Sequence, residues 1–342
     1  MMTETLYPIL IAAGCTASVI LFAAGLKRRS LSPVYALPFT AAGLLLAFIL
    51  GKAFFLLFNC FQLSVAGLFS PVPSEFSFAG CLAGLVLGVA LAARATKRPV
   101  PSVLDSFALP CCVLAAFVRF AEAFAGDLGL AEMATFGLEE ISEGSALAFF
   151  PLAVRDQWGQ WLLALSTLET IGALIAAILV IRHDTAGRKV RSVPREGTLI
   201  EPALFILCTF GFFFETARIS GVVFYYVHIE QLLSALIMLG LLIRLCARLS
   251  RAGRRLPWLP VGLFILCIAL NGFSQYFLDK AWRFSGLFSE AVFSWLSSHL
   301  EQVCYGIMLL TAVCSLVLYH VAFRKDRAPA DTEPKAGEPD ES

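Results

Sequence analysis

The chain has 342 residues, of which 58% are hydrophobic and only 15% are charged, and its mean hydropathy is +0.80. Soluble domains are about half apolar and a quarter charged, so this composition excludes a disordered chain and argues against a water-soluble enzyme. The net charge of +1 gives no overall attraction to nucleic acid. The composition favours an all-α fold, a polytopic membrane helix bundle.

Apolar stretches long enough to cross a bilayer recur along the whole chain. A helix needs about 20 mostly apolar residues to span the hydrocarbon core, and the alternating pattern of a membrane β-barrel is absent. Nine stretches qualify as transmembrane helices, at about 7–26, 34–58, 76–93, 102–125, 160–181, 199–219, 226–247, 257–277 and 302–323.

Positive charges are spread unevenly among the connections between these stretches. Most of the 26 Lys and Arg residues lie in the segments 27–29, 94–98, 182–195, 244–255 and 324–335, which alternate with poorly charged connections. Cytoplasmic loops are enriched in Lys and Arg. We therefore predict that the N-terminus is outside and the C-terminus is cytoplasmic. The first helix lacks a basic n-region, so we do not expect a cleaved signal peptide.

Metal-binding patterns are absent from the sequence. The ten cysteines and four histidines are scattered without the spacing of a metal site, so no metal site is expected. After residue 247 we predict two additional transmembrane helices within 248–325, joined by an extracytoplasmic aromatic loop. Residues 326–342 are rich in Pro, Ala, Asp and Glu, which predicts a disordered cytoplasmic tail.

Several ionisable residues lie inside the predicted membrane helices, where a charge is costly and by default indicates function. They gather near the outer ends of five helices and comprise Lys52, Arg119, Glu122, Glu169, Glu215, Arg218, His228 and Glu230. Two pairs, Arg119 with Glu122 and Glu215 with Arg218, have the i,i+3 spacing that places both members on one helix face. The inner half of the bundle is predicted to carry no comparable set.

These charges have two interpretations. They are either neutralised pairs that only fix helix packing, or a polar site at the level of the outer lipid headgroups. We favour the site, because arginine binds phosphate through paired hydrogen bonds and a desolvated carboxylate can act as a base. The charges alone do not distinguish binding from chemistry.

The order of the motifs along the chain resembles the prolipoprotein diacylglyceryl transferase family. Tyr7 opens the first helix where the family has Tyr-Gly, and Lys52 stands in a turn similar to the family's Gly-Ala-Arg. Residues 77–84 read Ser-Phe-Ala-Gly-Cys-Leu-Ala-Gly, which is similar to the family's Ser-Phe-His-Gly-Gly-Leu-x-Gly. Asp105 follows a basic loop, as the family's Asp does.

The later motifs continue the resemblance. Residues 119–127 match the family signature in part and retain its arginine and, at Gly126, a glycine. Glu169 falls on the glutamate that starts the family's fifth helix, and residues 215–218 look like its Glu-Phe-Phe-Arg. Residues 229–234 are similar to a hydrophobic residue followed by Gly-Gln-Leu-Leu-Ser. The similarity runs over about 5–247, so we expect residues 1–247 to form a seven-helix domain of this type.

The resemblance implies a bacterial cytoplasmic (inner) membrane enzyme. Such enzymes move a diacylglyceryl group from phosphatidylglycerol to the lipobox cysteine thiol of a prolipoprotein signal peptide, at the outer leaflet. This transfer implies no soluble cofactor. When the family's functional residues are carried over one by one, the resemblance implies that Arg119 and Arg218 bind the phosphate. The remaining site residues would be Lys52, Glu169 and Gly126 for substrate binding, and Glu122, Glu215 and Tyr7 for catalysis.

Three departures from the family pattern leave the activity open. The family's motif histidine is Ala79 here, its signature asparagine is Glu122, and an arginine four residues before Glu215 is Gly211. Alanine cannot take or relay a proton, so any base must be another group, with Glu122, Glu215 and His228 as candidates. The alternatives are a catalytically inactive relative that binds phospholipid or lipoprotein, and a lipid transporter.

Overall fold

The computed structural model describes residues 2–58, 69, 75–124, 133–134, 141, 144–155, 159–189, 199–217, 223–224, 227–253, 258–287 and 289–327. Within these ranges the chain forms ten α-helices. They are α1 (Met2–Arg28), α2 (Ala36–Phe58), α3 (Phe78–Ala95), α4 (Val100–Glu122), α5 (Leu165–Lys189), α6 (Ile200–Phe214), α7 (Ile229–Arg251), α8 (Leu259–Lys280), α9 (Glu290–Ser298) and α10 (Leu300–Arg327).

The predicted all-α membrane bundle is confirmed. Eight of these helices are long and apolar enough to cross a membrane, and α6 is a shorter apolar helix at the sixth predicted span. Contacts between helix ends define two levels of the bundle. We call the level that holds Arg29, Arg98 and Arg248 the basic end, and the level that holds Arg119 and Glu169 the Arg119 end.

Two predicted helices begin later than their hydropathy indicated. Residues 161–164 form a strand, β3 (Trp161–Ala164), which lies between β1 (Met133–Ala134) and β2 (Ala153–Arg155) in an antiparallel sheet. A second hairpin pairs β4 (Val223–Phe224) with β5 (Val227–His228), immediately before α7. The hydropathy of a short apolar run is compatible with a helix and with a buried strand. In these two segments, pairing with neighbouring strands determines that the run is a strand.

The helices α2 and α3 approach each other closely because glycines face the contact. A Cβ atom added to Gly84 would lie 2.4 Å from the carbonyl oxygen of Leu46 and 2.7 Å from the Cα of Ala47. One added to Gly88 would lie 2.4 Å from the carbonyl oxygen of Ala42. Small residues at helix contacts allow this backbone approach in membranes, where packing rather than the hydrophobic effect holds helices together.

The basic end contains a buried ion cluster that the sequence analysis missed. Glu201, at the start of α6, is 2% exposed and contacts two arginines of α7: Arg248, at 2.5 and 2.8 Å, and Arg244, at 3.0 Å. The Nε of Arg248 lies 3.4 Å from Asp326 of α10. The expectation that this half of the bundle lacks a comparable charged set was therefore wrong. The charge pattern assigned Arg244 and Arg248 to a loop, so it did not pair them with Glu201.

A chain of polar side chains joins the C-terminal helices to the rest of the bundle. The side-chain amide of Gln231 in α7 donates to Asn271 Oδ1 in α8 at 3.1 Å, and Asn271 Nδ2 lies 3.5 Å from Thr311 Oγ1 in α10. All three side chains are buried. The helix α10 continues to Arg327, and residues 328–342 of the predicted tail lie outside the described residues.

Replacing Asn271 with leucine should weaken this link while preserving side-chain size. We expect the free energy of unfolding in detergent to fall by about 0.6 to 1.7 kcal/mol, the range measured for hydrogen bonds between membrane helices. Gln302→Leu, at an exposed position of α10, is the matched control and should leave stability unchanged. Equal stability of the two variants would show that the link contributes nothing.

Candidate functional site

Arg119 is the centre of the polar cluster at the Arg119 end. It lies near the end of α4 and its residue is 6% exposed. Its Nη1 donates to both carboxylate oxygens of Glu122, at 3.0 and 3.1 Å. The predicted contact between these i,i+3 neighbours is thereby confirmed.

A second glutamate reaches Arg119 from another helix. Glu169, in the second turn of α5, places Oε2 3.0 Å from Arg119 Nε, at an angle that is poor for a hydrogen bond. The guanidinium also lies over the ring of Phe78, with 4.0 Å between its Cζ and the ring centroid. Three helices thus hold the guanidinium in one orientation. Its Nη2 makes no hydrogen bond within the described part of the chain.

Two further glutamates complete the acidic surroundings. Glu215 follows α6 directly, is 4% exposed, and lies 3.6 Å from Nδ1 of His228. Glu230 accepts a hydrogen bond of 3.0 Å from the backbone N–H of Ala79. Both interact electrostatically with Glu169. The described part of this cluster therefore contains more carboxylates than cations, and a second cation would be needed to attract a phosphate.

A narrow cavity borders the ion pair. Its lining residues are Phe78, Ala115, Arg119, Glu169, Ala173, Leu207, Phe210 and Gly211. The room for water inside is about 10 Å³, close to what one water molecule requires. A Cβ at Gly211 would lie 3.6 Å from Ser234 Oγ, an ordinary van der Waals distance, so an alanine would also fit at this wall. Within the described residues, the cavity beside the ion pair has room for about one water molecule.

The other predicted site residues lie around this cluster or outside the described residues. Lys52 is 4% exposed, and its Nζ lies 2.6 Å from Glu75 and 4.5 Å from the ring centroid of Phe76. Tyr7, in the second turn of α1, interacts electrostatically with Glu122. Gly126 and Arg218 lie outside the described residues.

Two contributions were not visible in the sequence. Phe78 under Arg119 and Glu75 beside Lys52 both come from the start of α3 and the residues before it, and neither has a spacing relation to its partner. The one local signal was Ser77, whose hydroxyl accepts a hydrogen bond from Gly80 N–H at 2.9 Å and caps α3. A cap residue predicts where a helix begins, but not what its first turn contacts.

Comparison with known proteins gives one result. The family model described as prolipoprotein diacylglyceryl transferase matches residues 2–246. Searches of curated proteins and of solved structures find no significant match.

Proposed function

Because the chain belongs to the prolipoprotein diacylglyceryl transferase family, whose members are transferases of lipoprotein biosynthesis, we propose the following reaction for it. It moves the diacylglyceryl group of phosphatidylglycerol to the lipobox cysteine thiol of a prolipoprotein. The reaction takes place at the outer leaflet of the bacterial cytoplasmic membrane. The membrane helices and the family match support transfer in a membrane, and the predicted orientation of the basic loops supports the outer leaflet.

The observation that carries this proposal is the arrangement of Arg119. A thiol that attacks the glycerol carbon releases glycerol phosphate, and developing negative charge on the phosphate must be stabilised. Arg119 is held by Glu122 and Glu169, while its Nη2 makes no hydrogen bond among the described residues. A preoriented guanidinium of this kind can donate to a phosphate oxygen without reorganising.

Arg218 supplies the second positive charge in this proposal. It lies three residues after Glu215 in the sequence, and the excess of carboxylates among the described residues makes a further cation necessary for an anionic donor. Glu122 and Glu215 orient these arginines, and Tyr7 contributes a hydroxyl from the first helix. Lys52, Glu169 and Gly126 complete the binding surface.

The deciding experiment is lipidation by the purified protein. Phosphatidylglycerol vesicles and a lipobox peptide should yield a peptide whose mass increases by one diacylglyceryl group. A peptide with serine in place of the lipobox cysteine is the control and should stay unmodified. Folded protein that retains phosphatidylglycerol but transfers nothing would overturn the proposal and support the inactive, lipid-binding relative that the loss of the motif histidine at Ala79 suggests.

Replacing Arg218 with alanine should lower the transfer rate by about 100-fold, which is typical when one preorganised donor to a developing charge is removed. Arg283→Ala is the matched control, because Arg283 lies after α8, outside residues 2–246, and contacts Tyr276 and Trp282. We expect its rate to equal that of the unmodified protein. Equal rates for both variants would remove Arg218 from the reaction.

A further inference from the structure

Glu230 is a residue of α7, and its carboxylate contacts the N-terminus of α3. Its Oε2 accepts the N–H of Ala79 at 3.0 Å, and its carboxylate interacts electrostatically with the side chain of Ser77, the cap residue of α3. The unpaired N–H groups at a helix start favour a negative charge. These contacts fix the position of a half-buried carboxylate beside the site.

The partners of Glu230 distinguish it from the other glutamates of the site. Glu122 and Glu169 contact Arg119, and Glu75 contacts Lys52. Among the described residues, by contrast, Glu230 has no cation within 4 Å, and both groups that contact it are neutral. A cation beside a carboxylate stabilises its charged form and weakens it as a base. Among these carboxylates, Glu230 therefore differs in having only neutral groups as its described contacts.

Glu230 is also close to the proposed phosphate-binding group. Arg119 lies over Phe78 and Glu230 binds the N–H of the next residue, Ala79, so both contact the first turn of α3. The charged and titratable groups that face Glu230 and this turn are Arg119, Glu169, Glu215 and the Cys81 thiol. A donor phosphate at Arg119 and a thiol at Glu230 would thus meet at one helix start.

The carboxylate of Glu230 contacts the backbone at the position where the resembling motif has a histidine. Ala79 replaces the histidine of the resembling motif, and Glu230 replaces a glycine. We propose that Glu230 is the general base of the transfer, acting where the histidine is missing. This inference rests on the proposed function.

The proposed step is balanced as follows. The thiol proton passes to a carboxylate oxygen of Glu230 as the sulfur forms a bond to the glycerol carbon that carries the phosphate. The bond between that carbon and the phosphate oxygen breaks, and its electron pair leaves with the glycerol phosphate beside Arg119. The proton on Glu230 then passes to the departing phosphate or to water.

The test compares two nucleophiles in Glu230→Gln, which keeps the side-chain shape and an oxygen that can accept from Ala79. With the cysteine peptide we expect the rate to fall by about 10² to 10⁴-fold, the usual contribution of a general base. A selenocysteine peptide carries a selenol that is ionised at neutral pH and needs no base, so its rate should fall less than about tenfold. Glu301→Gln, at an exposed position of α10, is the control and should match the unmodified protein with both peptides.

The outcomes separate this inference from the proposed function. If the unmodified protein transfers to neither peptide, the proposed function fails. If it transfers and Glu230→Gln retains the cysteine rate, or loses both rates equally while folded, Glu230 is not the base. If Glu230→Gln does not fold, Glu230→Asp serves as the second variant, because it shortens the side chain by one methylene group. We expect Glu230→Asp to lower the rate with the cysteine peptide more than the rate with the selenocysteine peptide. Equal losses with the two peptides would overturn the proposal.

Discussion

Replacing Arg119 with alanine should abolish transfer and destabilise the protein by about 3–5 kcal/mol, which is the usual cost of removing one partner from a buried ion pair. The reason is that Glu122 and Glu169 would remain buried without the cation that both contact. Thermal unfolding in detergent and the lipidation assay measure the two effects separately.

Two companion variants sharpen this result. Arg119→Lys keeps the charge but cannot contact both carboxylates with a planar guanidinium, so we expect a folded protein with strongly reduced transfer. Arg98→Ala removes an arginine that also lies over an aromatic ring, that of Tyr35 at 4.7 Å, but is exposed. It should unfold like the unmodified protein. An Arg119→Ala variant of unchanged stability would contradict the ion-pair geometry.

The second large effect is expected at Gly84, where even one methyl group has no space. Gly84→Ala would push its Cβ against the backbone of α2 at Leu46, and the two helices would have to separate. We expect a loss of about 1–3 kcal/mol, the typical cost of overpacking, and further loss when Gly88→Ala is combined with it. Unfolding in detergent checks both.

Gly240→Ala is the matched control for Gly84→Ala. Gly240 also lies within a spanning helix, α7, but among the described residues no atom comes within 4 Å of the place that an added methyl group would take. Alanine has the higher helix propensity, so this variant should be as stable as the unmodified protein or slightly more stable. If the two alanine variants behave alike, the close contact between α2 and α3 is not important for stability.

Local patterns in the sequence predicted the helices and one of the ion pairs. Long apolar stretches specify helices in a membrane because the backbone has no other way to satisfy its polar groups there. The contact of Arg119 with Glu122 followed from their spacing within one helix. The fifth helix was predicted to begin at about residue 160, which is nine residues before Glu169. The strand Trp161–Ala164 delays the helix and brings Glu169 to the level of Arg119.

Local sequence patterns could not predict the contacts between segments that are distant in the sequence. Neither the bond from Ala79 to Glu230 nor that of Glu201 with Arg248 has a sequence spacing that predicts it, because each depends on how two helices are placed. The resemblance gave the order of the motifs, but it did not identify which residue acts as the general base. Only the three-dimensional structure shows that Glu230, which replaces a glycine of the family motif, accepts a hydrogen bond from the backbone N–H of Ala79.

The backbone contact of α2 with α3 limits how a phospholipid can arrive. A donor whose tails stay in the bilayer while its headgroup reaches Arg119 has to pass sideways between two helices. Where Gly84 and Gly88 press against the backbone of α2, the gap is narrower than a methyl group, and an acyl chain is wider than that. At the level of these two glycines, the seam between α2 and α3 therefore offers no lateral path for the donor that we propose.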